Sequence, residues 1–323
     1  MPEITCRDAI NQALHEEMAR DDAVFILGED VGLYEGSFKV SKGLLAKFGD
    51  KRVVDTPISE AGIVGMACGA AMTGLRPIAE LMTINFAIVA MDQIMNHVAV
   101  ARYMFGGQAR VPLTIRAPGG GGHQLGAQHS HSLEAFFLHC PGLRVIVPSV
   151  PADAKGLLKS AIRSDDPVVF LEHEGLYGTK GEVPEGEYTL PLGVADIKRQ
   201  GADVTLVSLS RMVYVCLEAA GMLAEDGIDA EVLDLRALNP LDMKAVLQSV
   251  RKTHRAVTVE ESWLTGGWGG EVAARIMAEA FDELDGPVLR VGGADVPMPY
   301  SRALEQTAIP NADRVAARVK ELF

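Results

Sequence analysis

The sequence predicts an α/β fold: a mainly parallel, doubly wound sheet followed by a second, smaller α/β domain. Three observations carry this expectation. Short segments that are continuously apolar alternate with segments of helical spacing, as in sheets covered on both faces. The alternation occurs twice, on either side of a stretch without periodicity. With 323 residues, 48% of them hydrophobic, the chain is long enough for two cores.

In chain order, residues 6–19 place Ala9, Ile10, Ala13, Leu14 and Met18 at helical spacing. Residues 23–28 read as a buried strand that ends in the loop Glu29-Asp30. Residues 59–73 form a helix rich in small side chains, begun by Ser59 as N-cap and stopped by Gly74. A strand over 77–82, a long helix from Phe86 to Met104, and strands over 111–116 and 143–148 follow. A helix over 152–162 and a strand over 168–172 complete the first alternation. From 174 to 200, Gly, Pro, Glu and Lys dominate and periodicity is lost, which marks the domain connection. The second alternation predicts strands over 204–208, 230–235, 256–260 and 288–291, and helices over 212–224, 241–250 and 270–284. The expected division is a first domain over 1–185, a linker over 186–200 and a second domain over 201–323. The halves share a fold class without a sequence repeat.

Thirty Lys and Arg against 43 Asp and Glu give a net charge of −13. That balance argues against nucleic acid or an anionic membrane as partner. Cys6, Cys68, Cys140 and Cys216 are scattered, show no CxxC spacing and sit in apolar surroundings, so buried thiols are expected. No run of about 18 apolar residues predicts a transmembrane helix. No basic region followed by an apolar stretch opens the chain, which points to a cytoplasmic protein or one already processed.

The candidate chemistry begins at Glu60, in the first turn of a helix that carries Gly62, Gly65 and Gly69. An acid there also suits the helix dipole alone. Three mid-helix glycines, however, each cost about 1 kcal/mol relative to alanine, and close approach of another helix would explain them. A carboxylate between closely packed helices is desolvated, which lets it hold or share a proton near neutral pH. Glu29 lies just past a strand end, where α/β proteins place ligands; acidic loops are also common there. Phe86 and Met82 read as core, or as a face for a flat ring. Gly119 to Gly122 follow a strand and could cradle phosphate, although neither GxGxxG nor GxxxxGK[ST] is present. A mobile loop passing substrate is the alternative. His123, His129 and His131 follow. An HxH pair can bind zinc if a third ligand exists, His129 can serve catalysis or substrate binding, and a solvated loop is the remaining reading.

Together these segments resemble the β subunit of the 2-oxo acid dehydrogenase decarboxylase component, nearly end to end. The motifs include Leu27-Gly28-Glu29-Asp30-Val31, Asp55-Thr56-Pro57-Ile58-Ser59-Glu60, Gly74-Leu75-Arg76-Pro77-Ile78, Tyr103-Met104-Phe105-Gly106-Gly107, Ala127-Gln128-His129-Ser130 and Asp295-Val296-Pro297-Met298-Pro299-Tyr300. The resemblance implies a thiamine-enzyme pyrimidine-binding domain followed by a transketolase C-terminal-like domain. It implies that Glu60 matches the acid sharing a proton with the pyrimidine of thiamine diphosphate, and Phe86 the aromatic packed on that ring. Ile58 and Met82 match pocket-lining residues, and Glu29 an acid near the cofactor. His129 matches the histidine used when the acyl group passes to lipoamide. Some members hold a structural K+ through carbonyls at positions matching Leu113, Ala161, Ile162, Ser164 and Asp166.

The Gly-Asp-Gly followed by Asn that holds the diphosphate and Mg2+ in thiamine enzymes is missing; Gly-Asp occurs only at Gly49-Asp50. The resemblance therefore implies an α subunit that supplies the Mg2+ ligands, an α2β2 heterotetramer, and docking to a dihydrolipoyl acyltransferase core with its lipoyl domain. Pyruvate is the expected substrate, with branched-chain 2-oxo acids or acetoin as alternatives. A zinc hydrolase and a nucleotide-binding subunit are the rivals from other classes, and both leave Glu60 and its glycine helix unexplained.

Overall fold

The computed structural model describes residues 1–323. The chain divides into two compact units, Met1–Gly119 with Phe136–Leu192, and Gly120–Ala135 with Gly193–Phe323. The glycine-rich segment 120–135 thus groups with the second unit although it lies within the first in sequence.

The first unit contains β1 (Glu3–Thr5), α1 (Cys6–Arg20), β2 (Val24–Gly28), α2 (Leu44–Phe48), β3 (Val53–Asp55), α3 (Glu60–Met72), β4 (Arg76–Glu80), α4 (Ala101–Met104), β5 (Thr114–Gly119), α5 (Glu134–Leu138, at the junction of the units), β6 (Arg144–Ile146), α6 (Pro151–Arg163), β7 (Val168–His173) and β8 (Lys180–Glu182). Neighbouring strands run β6-β7-β5-β4-β2-β3, every pair parallel. After β3 the chain crosses back so that β4 pairs with the other edge of β2. The crevice beyond the carboxyl ends of β2 and β4 is a topological switch point, where α/β folds place ligands. Strand β2 ends in glycine because β4 comes so close: a Cβ on Gly28 would meet the Glu80 carbonyl oxygen at 2.4 Å.

Two expectations for this unit need correction. The long helix over 86–104 is broken into a 3₁₀ stretch (Ile84–Ala90), a π stretch (Gln93–Val98) and α4, with a 69° bend between Ile84–Ala90 and Gln93–Met104. Neither proline nor glycine causes it. The buried residues Ile84, Ala87 and Ala90 recur every three positions, then Ile94 and Val98 every four. Each winding keeps its own buried residues on one face. The strand expected over 111–116 instead runs from Thr114 to Gly119. Beyond Arg116 it pairs only with β7, so Pro118 sits where its missing N–H breaks no second ladder.

The second unit contains β9 (Asp196–Arg199), β10 (Val204–Ser208), α7 (Met212–Glu225), β11 (Ala230–Asp234), β12 (Ala237–Asn239), α8 (Met243–Thr253), β13 (Ala256–Trp263), α9 (Trp268–Ala280), β14 (Leu289–Gly293), α10 (Arg302–Ala308) and α11 (Ala312–Lys320). Its sheet runs β14-β13-β10-β11-β9, parallel except at the β9 edge. Val204, Leu206, Val232, Val257 and Val259 of the central strands pack with α7 and α11 in one core. Both β8 and β9 lie within 174–200, and β12, α10 and α11 were not anticipated. Helix α11 buries Val315, Ala316 and Val319 and is capped by the Asn311 side chain, which accepts from Arg314 N–H.

All four cysteines are buried free thiols, as expected, and burial pushes those of Cys6 and Cys216 up to about 12. No single helix is long and apolar enough to cross a membrane.

Candidate active site

In the first unit, acids collect at the switch point. Glu60 is the first residue of α3, and Ser59 begins that helix by accepting from Gly62 N–H at 3.3 Å. Its side chain is buried, with the residue 6% exposed. Glu29, also buried, follows β2. Its loop is tied down by Asp55 at the end of β3, which accepts from Gly32 N–H at 2.6 Å and Leu33 N–H at 3.0 Å. Burial raises the Glu29 carboxyl above its ordinary value, and the negative charges of Glu60 and Asp30 raise it further. The fold has therefore brought Glu29 and Glu60, 31 positions apart in sequence, within electrostatic reach.

Glu29 Oε1 and Thr56 Oγ1 are buried without a hydrogen-bond partner. Buried polar atoms are normally paired, so orphans at neighbouring strand ends fit a polar ligand such as an aminopyrimidine. The apolar candidates lie on the same rim. Ile58, on the β3–α3 loop, is 82% exposed. Met82 follows β4, and Phe86 stands in the 3₁₀ stretch after it; both are half-buried.

Within this chain the stretches Ile84–Ala90 and Gln93–Val98 pack on α3 but leave its glycine positions largely open. A Cβ at Gly69 would meet nothing within 4 Å, and one at Gly65 only Gln93 at 3.8 Å. Gly65, Met66, Gly69 and Met72 are exposed instead. Tyr103, at 90% exposure, Met104 and Phe105 present further apolar surface in this unit.

A second group of acids at these strand ends was not singled out from sequence. Arg116 of β5 is 1% exposed. It donates to Glu172 of β7 through Nε at 2.7 Å and Nη2 at 2.5 Å, and also to Glu80 of β4. Tyr177 O–H donates to Glu172 at 2.6 Å. A charged residue inside an otherwise apolar strand, as Glu80 is in Pro77-Ile78-Ala79-Glu80-Leu81, was the available signal.

His129 lies in the second unit on the segment 120–135, half-buried, with its N–H donating to the Gly126 carbonyl at 3.3 Å. His131 packs edge-on to Trp263 at 5.8 Å, and burial lowers its pKa. His123 is exposed. No group of three or more His, Cys, Asp or Glu side chains is arranged to hold a metal ion. The glycine loop follows its strand but is occupied by this chain's own carboxylates: Gly121 N–H donates to Glu261 at 2.6 Å, and Gly122 N–H to Glu305 at 2.9 Å.

The carbonyls matched to a potassium ion already accept hydrogen bonds. Leu113 accepts from Val168 N–H at 2.9 Å, and Ala161 from Ser164 N–H at 3.1 Å. Ile162 and Ser164 accept from Arg76 Nη1 at 3.2 and 3.0 Å, and Asp166 from Ser164 Oγ at 2.9 Å. A carbonyl oxygen has two lone pairs, so an ion there would share each oxygen with a donor.

Comparison with known proteins bears on both units. Residues 2–180 match the family model of the transketolase pyrimidine binding domain, and residues 193–315 that of the transketolase C-terminal domain. The pyruvate dehydrogenase E1 component subunit beta, mitochondrial, of Caenorhabditis elegans is 52% identical over 323 residues, 98% of this chain and 92% of that protein. The Homo sapiens protein of the same description is 49% identical over 324 residues, covering 99% and 90%. The Rickettsia felis pyruvate dehydrogenase E1 component subunit beta is 49% identical over 320 residues, covering 99% and 98%. Among solved structures, a split-gene transketolase described as an inactive beta4 tetramer superposes with a TM-score of 0.83 at 28% identity, covering 99% of this chain and 98% of that one. With a pyrimidine-binding half, a transketolase C-terminal half and about half its residues shared end to end, the chain belongs to the family of pyruvate dehydrogenase E1 component β subunits.

Proposed function

We propose that this chain is the β subunit of a thiamine diphosphate-dependent pyruvate dehydrogenase decarboxylase component. With an α subunit it oxidatively decarboxylates pyruvate and acetylates lipoyl groups of the acyltransferase. The observation that carries the reading is the buried pair Glu29 and Glu60 beside orphaned polar atoms at the switch point. Thiamine diphosphate, when bound, supplies the electron sink for loss of CO₂ from a 2-oxo acid.

The chain's own residues supply proton control and a dry surface. Glu60 holds and exchanges a proton at a carboxyl oxygen toward a ring nitrogen of the pyrimidine. Glu29, raised by burial and by the charge of Glu60, keeps its own proton to higher pH than an ordinary carboxyl. Phe86 offers an aromatic face to the ring, and Ile58 and Met82 exclude water around it. His129 donates a proton to, or orients, the lipoyl sulfur during acyl transfer.

We assign the Mg2+ ligands to the α subunit, since Gly-Asp-Gly followed by Asn does not occur here. The exposed glycine and methionine face of α3 and the apolar surface at Tyr103, Met104 and Phe105 support docking of that subunit in an α2β2 assembly. The described inactivity of the related split-gene transketolase beta4 tetramer supports the view that a β chain alone does not turn over. The second domain, over 201–323 after a first domain at 1–185 and a linker at 186–200, then serves β–β contact and acyltransferase docking. A K+ ion at the carbonyls of Leu113, Ala161, Ile162, Ser164 and Asp166 would be structural, and a higher Tm in KCl than in NaCl would support it. The bacterial cytoplasm or an organelle matrix is the setting this reading implies.

The test is co-expression with the α subunit and thiamine-dependent turnover of pyruvate, 3-methyl-2-oxobutanoate and acetoin with an artificial electron acceptor. Pyruvate should be preferred. An assembled complex inactive on all three would overturn the reading.

A further inference from the structure

The loop that carries His129 is held by buried acids of the second unit to which neither the family match nor the reading above gives a part. Residues 119–126 include five glycines, and Gly120, Gly122 and Gly126 take left-handed φ values of 88°, 105° and 76°. Gln124, which is not a glycine, also has φ 58°. Such a segment has much conformational freedom to lose and needs external anchors to adopt one shape. The structure supplies them one peptide after another. Glu261 accepts from Gly121 N–H at 2.6 Å and from Ser132 Oγ at 3.3 Å. Arg211 donates to the Gly121 carbonyl at 3.0 Å. Glu305, in α10, accepts from Gly122 N–H at 2.9 Å and from Gln124 N–H at 3.0 and 3.2 Å.

Glu305 is the telling member. It is 1% exposed, and burying a carboxylate is costly unless its oxygens are satisfied. Here backbone N–H groups of the His129 loop satisfy them, in the charge-assisted form that binds most tightly. One of those N–H groups belongs to Gln124, the residue in the unfavourable left-handed region. The same C-terminal segment shapes the loop by contact: a Cβ at Gly126 would meet the Tyr300 ring at 2.3 Å, and one at Gly121 would meet Ile309 at 2.8 Å.

We infer that Glu305 is a positioning residue for acyl transfer: by fixing Gly122 and Gln124 it sets the path of the loop and hence the place of the His129 imidazole. The inference rests on the proposed role of His129. The experiment uses the assembled α and β subunits with Glu305→Ala, Glu305→Gln, His129→Ala and the double variant His129→Ala/Glu305→Ala. Two rates are read: pyruvate decarboxylation with an artificial acceptor, and acetylation of a lipoyl domain. Glu305→Ala should lower lipoyl acetylation roughly 10- to 100-fold more than the acceptor-linked rate. The double variant should be no slower in acetylation than His129→Ala alone, because both act through one group. Glu305→Gln keeps the volume but turns an amide N–H₂ toward one loop N–H, and it should show the same split to a lesser degree. If the alanine variant fails to assemble, the glutamine variant reads the split. Equal loss of both rates, unchanged acetylation, or additive losses in the double variant would overturn the inference. Absence of acceptor-linked turnover in the unsubstituted complex would instead overturn the proposed function, so the two failures are distinguishable.

Discussion

Two groups of glutamates stand near the carboxyl ends of the strands of the first unit and are built in opposite ways. Glu80 and Glu172 enclose the guanidinium of Arg116, and Tyr177 O–H donates to Glu172, so nearly every charge has an opposite charge or a donor beside it. Glu29 and Glu60 are like charges within electrostatic reach of each other, and Glu29 Oε1 makes no hydrogen bond. The first arrangement is what a buried ion network needs to be tolerated. The second is destabilising by itself, and groups perturbed in that way cluster at functional sites.

Substitutions can break that comparison. The largest effect is expected for Glu60→Ala, which should lower thiamine-dependent turnover by about 10²–10⁴-fold while circular dichroism and assembly stay unchanged; retained turnover would remove Glu60 from the site. Arg116→Met should do the reverse. It strands two buried carboxyls and should cost about 3–5 kcal/mol in urea unfolding, and the added changes Glu80→Gln and Glu172→Gln should recover much of it.

Glu174 tests a lone buried acid. Burial pushes its carboxyl up to about 7 from 4.5. Because the folded value is the higher one, its contribution to stability is fully present below pH 4.5 and is lost as pH rises through 7. Glu174→Gln should therefore be more stable than the unsubstituted protein at pH 8 by about 1–3 kcal/mol, with the gain absent at pH 4. Glu29→Gln should be the mildest: turnover falls about tenfold, and stability rises slightly at pH values where both carboxyls would otherwise be ionised. A larger loss of turnover than that of Glu60→Ala would exchange the roles of the two acids.

Much of the architecture was legible in the sequence because strands buried on both faces must be apolar throughout and helices must repeat near 3.6 residues. That physics makes β2, α3, β10 and α7 visible in a single chain. It fails between Phe86 and Met104, where the spacing of buried residues changes from three to four and a continuous helix is no longer the winding that buries them. It fails as well for α10 and α11, which lie beyond the alternation that was read.

Of the candidate residues, Glu60 stands out in the sequence because an acid in the first turn of a glycine-bearing helix is locally unusual, and His129 because it follows a glycine run. By itself the sequence determined the fold class, the alternation of elements and the buried thiols. These depend on neighbours along the chain. Only the tertiary structure decided that Glu29 comes within electrostatic reach of Glu60, that Arg116 joins Glu80 to Glu172, that Gly65 and Gly69 of α3 are exposed, and that Glu305 holds the loop of His129 across 181 positions. Those facts depend on which strand lies beside which and on what the loops pack against. Electrostatics and hydrogen bonding act through space, and local periodicity carries no record of them.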